Sequence, residues 1–153
     1  MPDSPPVETA DQQVVVTRVF DAPRDVVFRA WTDPAQVAKW FGPQGMDIPR
    51  DSVVIDARVG GRFELRMVRS EMGFEMHLAY EIVELVEPEL LVLHHEAKPE
   101  LGIPHATVTR IEFHDEDGKT RMVLTDGPYP ESAHAEAGWV QAFDKLAALL
   151  QAG

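Results

Sequence analysis

Residues 131–153, ESAHAEAGWVQAFDKLAALLQAG, carry Trp139, Phe143, Leu146 and Leu150 at steps of four, three and four. That period puts all four on one stripe of a long helix. A helix that is apolar on one side needs a surface to cover, and the residues before it supply one. SVVID (52–56), GRFELRMV (61–68), FEMHLAYEIVELV (74–86), LLVLHHE (90–96), HATVTRIEFH (105–114) and TRMVLTD (120–126) all read as strands. They are broken at Gly60-Gly61, Met72-Gly73, Pro88, Pro99 to Pro104 and Asp117-Gly118, the last a tight hairpin signal. Successive strands joined by short turns predict one antiparallel sheet.

Upstream, QVVVTRVF (13–20) adds a strand, although its Val14 to Val16 run blurs the alternation. Two short helices follow it. In DAPRDVVFRAWTD, Asp21 is the expected cap, Pro23 lies in the first turn, and Val27 and Trp31 share a face. Asp33-Pro34 repeats the start signal, Val37, Trp40 and Phe41 form the apolar side, and Gly42-Pro43 stops the second helix. The predicted class is α+β: a curved sheet whose concave side receives the last helix, leaving a cavity wherever the two do not close. Residues 1–12, polar and proline-rich, are expected to be a flexible arm, and 13–153 a single domain.

Composition narrows the chemistry. There is no cysteine, so disulfides, thiolate zinc sites, iron–sulfur clusters and cysteine nucleophiles are excluded. A formal charge of −12 repels phosphates and disfavours nucleic acid and anionic membrane as partners. No signal peptide or membrane span is evident, which points to the cytoplasm. GxSxG, P-loop and GxGxxG motifs are missing, so hydrolase-elbow, phosphate-loop and dinucleotide readings have no support.

Strand parity sorts the side chains. Phe63, Leu65 and Met67 share one face of their strand, and Met76, Leu78, Tyr80 and Ile82 one face of the next. Leu85 falls out of step there, which a bulge near Val83 would repair. Leu91, Leu93 and His95 face inward, as do Thr107, Thr109, Ile111 and Phe113. His94 and Glu96 then point away from His95, so HHE leaves two potential ligands on one face and no metal site is expected. An imidazole at a pocket wall could move a proton, but no inward carboxylate is identified to orient it. Asp56 and Arg58 are expected to pair, with Gly60-Gly61 making the turn that follows.

FDAPRDVVFRAWTDPAQVAKWFGP, DARVGGRF, VEPELLVL and GWVQAFDKLAALL, in this order and spacing, resemble the Hsp90-ATPase-activator-homologue-1-like branch of the START/Bet v1-like (polyketide cyclase) superfamily. The resemblance implies a helix-grip fold, with the C-terminal helix across a seven-stranded antiparallel sheet and a hydrophobic cavity between them. It also places Trp40 and Phe41 beside the cavity mouth.

The expected function is binding of a small hydrophobic, aromatic or polyketide-like molecule without a cofactor, by a monomer or homodimer. Expected walls are Trp40, Phe41, Phe63, Leu65, Met67 and Met76, continued by Leu78, Tyr80, Leu93, Trp139 and Phe143. Thr107, Thr109 and His95 would orient the ligand. The alternatives are a cyclase or dehydratase using the same cavity, and a protein-interaction module. For the latter, the co-activator namesake uses an additional N-terminal domain for which this sequence has no room.

Overall fold

The computed structural model describes residues 12–101, 103–129 and 132–152. The chain runs β1 (Gln12–Phe20), α1 (Arg24–Thr32), α2 (Pro34–Trp40), β2 (Val54–Ile55), β3 (Arg62–Arg69), β4 (Phe74–Val86), β5 (Leu90–His95), β6 (Thr107–Glu116), β7 (Lys119–Tyr129) and α3 (Ser132–Ala152), with short 3-10 turns between some of these. All strands pair antiparallel in one seven-stranded sheet ordered β1-β7-β6-β5-β4-β3-β2. The expected arm 1–12 lies outside the described residues except for Gln12, which begins β1 and accepts hydrogen bonds from the Ser132 N–H and hydroxyl at 3.0 and 2.8 Å.

Strand parity holds across the sheet. In β1, Val14 and Val16 are buried while Val15 and Val19 face solvent, so the valine run conceals an ordinary alternation. The β4–β5 register shifts between Ile82 and Glu84, which is the bulge that brings Leu85 back toward the core. Asp117 and Gly118 turn β6 into β7 with φ of 55° and 85°, as a two-residue hairpin requires.

Two local expectations are corrected. Asp21 does not cap α1: Pro23 holds the N-cap position without a side-chain bond, and its carbonyl accepts from the Val26 and Val27 N–H groups. The helix starts too late for Asp21 to reach it. The strand expected over 52–56 shrinks to Val54–Ile55, because Arg50–Ser52 forms a 3-10 turn whose Ser52 hydroxyl donates to the Pro49 carbonyl at 2.7 Å. Asp33 does cap α2, accepting from the Ala35 N–H at 3.0 Å, while its own N–H closes α1 on the Arg29 carbonyl at 2.8 Å. The Asp56–Arg58 pair forms at 2.8 Å on the surface.

α3 packs chiefly on β1, α2 and β7. Phe143 and Leu146 are fully buried, and Phe143 meets Phe20 of β1 edge-on at 6.4 Å. At the end of α2, Trp40 is fully buried, 4.8 Å from Trp31 and 6.2 Å from Phe143, and its indole N–H donates to the Ala30 carbonyl at 2.9 Å. It joins both short helices to the long one. Trp40→Ala is therefore expected to cost about 3–5 kcal/mol in urea unfolding, the range for emptying an aromatic core site.

Candidate functional site

On the β3–β4 side of the sheet the helix and strands do not close, leaving a cavity of about 230 Å³. Met67 of β3 and Met76, Leu78 and Tyr80 of β4 form one wall; Phe41, Gly42 and Pro43, at the exit of α2, form another. α3 contributes Ala135, Gly138, Trp139 and Ala142, β7 contributes Asp126 and Tyr129, and Ile103 and the exposed His134 complete the lining. A second hollow of about 560 Å³, with Gln44, Arg69 and Gln141 on it, shares Pro43, His134 and Gly138 with the first.

Of the residues expected to be walls, Phe41, Met67, Met76, Leu78, Tyr80 and Trp139 lie on this cavity. Trp40, Phe63, Leu65, Leu93 and Phe143 do not: each is at most 1% exposed and packed in the core. Phe63, for example, packs behind Phe41 and Tyr80, at 5.8 and 5.9 Å. Strand parity separates inside from outside but does not say which inward side chain is covered by another.

The three polar groups expected to orient a ligand are also off the lining. Thr109, 2% exposed, donates its hydroxyl to Asp126 Oδ1 at 2.8 Å. Thr107 is buried beside it on the same face of β6. His95, 2% exposed, has Nδ1 2.7 Å from the Glu96 carbonyl. That oxygen only accepts, so Nδ1 carries the proton. Nε2 is buried without a partner, and burial holds the imidazole below its ordinary pKa. The Tyr80 ring stands edge-on to it at 5.1 Å. Among the described residues no group of His, Asp and Glu is arranged to hold a metal ion.

The polar centre of the cavity is a residue the sequence reading passed over. Asp126, 1% exposed, accepts from the Thr109 hydroxyl, from the Tyr129 hydroxyl at 2.7 Å and from the Trp139 indole N–H at 2.8 Å. The indole can only donate, so the carboxylate accepts that bond. The signal was available: Thr120, Met122 and Leu124 are buried at alternate positions of β7, and Asp126 is next in that series. The alternation of β7 thus puts a carboxylate inside, which corrects the expectation that none is available there.

Burial, and next the Asp126 charge, push both the Tyr80 and Tyr129 hydroxyls far above the ordinary phenol range. These are the chain's two tyrosines. The unfolded chain releases their protons above about pH 10, whereas the native state keeps them. Their contribution to stability is thus complete below that pH and lost as pH rises beyond it. In an alkaline absorbance titration, phenolate is expected to appear together with loss of the fold, not before it.

A long helix gripped by an antiparallel sheet, with a mostly apolar cavity between, defines a helix-grip protein. The chain belongs to the family described as activator of Hsp90 ATPase homolog 1-like protein, whose profile matches residues 21–151. A solved Chromobacterium violaceum protein is 27% identical, with 90% of this chain and 95% of that one covered and a TM-score of 0.80. A Silicibacter pomeroyi protein titled with the same family name is 21% identical over 92% of this chain and 98% of that one, TM-score 0.74. An Aeromonas hydrophila protein, 19% identical over 92% and 93%, has a TM-score of 0.75. The last two show likeness of fold alone. No curated protein matches the chain. In general terms this fold supports hydrophobic-ligand binding, and no described helix is long and apolar enough to cross a membrane.

Proposed function

We propose that the cavity binds a small hydrophobic molecule with one aromatic ring and a short chain. The supporting observation is unfilled space beneath α3. A Cβ added at Gly138 would meet no atom within 4 Å, although Gly138 lies in the helix that should be pressing on the sheet. The lining on the sheet side includes Met67, Met76 and Leu78, flexible or apolar side chains suited to an aromatic guest.

Size limits the guest. Drug-sized ligands occupy pockets of roughly 300–1,000 Å³, and an apolar cavity of about 150 Å³ holds benzene. A volume of about 230 Å³ suits a single ring with a few further atoms. Trp40 takes no part; Phe41 and Trp139 supply the aromatic walls.

Gly138 offers a test that separates binding from folding. Gly138→Ala is expected to raise stability by up to about 1 kcal/mol, because alanine is the better helix former and its methyl group enters open space. Gly138→Leu should remain folded and fill the cavity. In thermal-shift and calorimetric titrations with indole and 4-phenylbutan-1-ol, wild-type protein should show a saturable rise in Tm and Gly138→Leu none. Equal binding by Gly138→Leu, or no binding by the wild type of either compound or of the matching amine 4-phenylbutylamine, would refute the proposal.

A further inference from the structure

We infer that the ligand of this cavity is a cation: an amine or quaternary ammonium carrying one apolar ring, with Asp126 as its counter-charge. The inference rests on the ligand-binding reading above and specifies the ligand's charge. Asp126 lies on the lining but is almost completely withdrawn from water. Its three protein hydrogen bonds come from neutral donors, Thr109, Tyr129 and Trp139. A carboxylate has about four acceptor positions, so one remains open after these three bonds. Among the described residues no lysine or arginine forms an ion pair with it.

Two basic groups near the cavity are engaged by backbone carbonyls, and burial holds a third, His95 against the Tyr80 ring, below its ordinary pKa. Lys145 Nζ lies 3.4 Å from each of the Phe41 and Pro43 carbonyls, which it ties to α3. The Arg69 guanidinium donates to the Gln44 carbonyl at 2.9 Å and lies on the adjoining hollow. His134 is exposed. The cavity therefore holds a net negative charge against low-dielectric walls, where charge interactions are far stronger than in water.

The rest of the lining suits a cation as well. Phe41, Tyr80, Tyr129 and Trp139 bring four aromatic rings to one small space, and the negative face of an aromatic ring attracts an ammonium group. At the scale of the whole chain, a charge of −12 draws cations toward the surface and repels carboxylates. A fatty acid or aryl acid would meet like charge inside, at Asp126. A neutral alcohol would make a hydrogen bond but gain nothing from the field.

The experiment uses three matched probes, 4-phenylbutylamine, 4-phenylbutan-1-ol and 4-phenylbutyrate, titrated calorimetrically into the full chain at neutral pH. The amine is expected to bind about tenfold or more tightly than the alcohol, with the carboxylate weakest. Asp126→Asn should abolish the amine's preference over the alcohol, since it removes the charge and keeps the side chain's shape. Alcohol binding equal to or tighter than amine binding by the wild type overturns the inference, and this comparison does not depend on how the variant folds. Tighter binding of the carboxylate overturns it too. If alcohol and amine bind equally, small-ligand binding stands and only the charge assignment fails; if none of the three binds, both fail.

Discussion

Trp31 is the residue on which the three helices depend. Its ring lies 4.8 Å from Trp40, 5.9 Å from Trp139 and 6.3 Å from Phe143, and its indole N–H meets the Met122 sulfur at 3.3 Å. One side chain from α1 thus touches α2, α3 and β7. Edge-to-face contacts add directional energy to the burial of large rings, so the cluster sets angles as well as distances. The Arg18–Asp144 ion pair between β1 and α3 is largely solvent-facing and adds little. Seated here, α3 lies on the β1–β7 side of the sheet. The β3–β4 side is left for the cavity.

Two glycines shape that space in opposite ways. Gly42, at φ +86° where the chain leaves α2, approaches Met67 so closely that a Cβ would stand 2.8 Å from its sulfur. Any larger residue there would strain the backbone and push the wall apart. Gly138 omits a side chain where one would fill the void. Close approach at one position and omission at the other together keep the cavity narrow and unfilled by side chains.

The sequence was most legible where one periodicity decided one question. Parity put Phe63, Leu65, His95 and Thr109 inside, and helix spacing put Phe143 and Leu146 on the core side of α3. What parity could not supply was depth along the inward direction. Trp40 and Phe41 are adjacent in sequence, yet one is wholly in the core and the other lies on the cavity, because the Trp31 ring claims the first. Asp126 was missed for a different reason. The alternation of β7 turns its side chain inward, but its role as the cavity's polar centre comes from three donors elsewhere in the chain, Thr109 from β6, Tyr129 three residues on and Trp139 from α3. Such tertiary donors have no local sequence signature.

Burying a carboxylate costs more than burying a leucine, and its hydrogen bonds at best offset that cost. Asp126 is therefore a weak source of stability for the space it occupies. Its other effect is not weak: a fixed charge in a small apolar cavity projects a field that the solvent cannot screen as it screens the surface. The Trp139 indole connects the two effects, because it donates to the carboxylate, packs on Trp31 and faces the cavity. A guest that presses on this ring presses on the seat of α3. A guest that binds only the folded chain would therefore stabilise it while touching the side chain that seats α3.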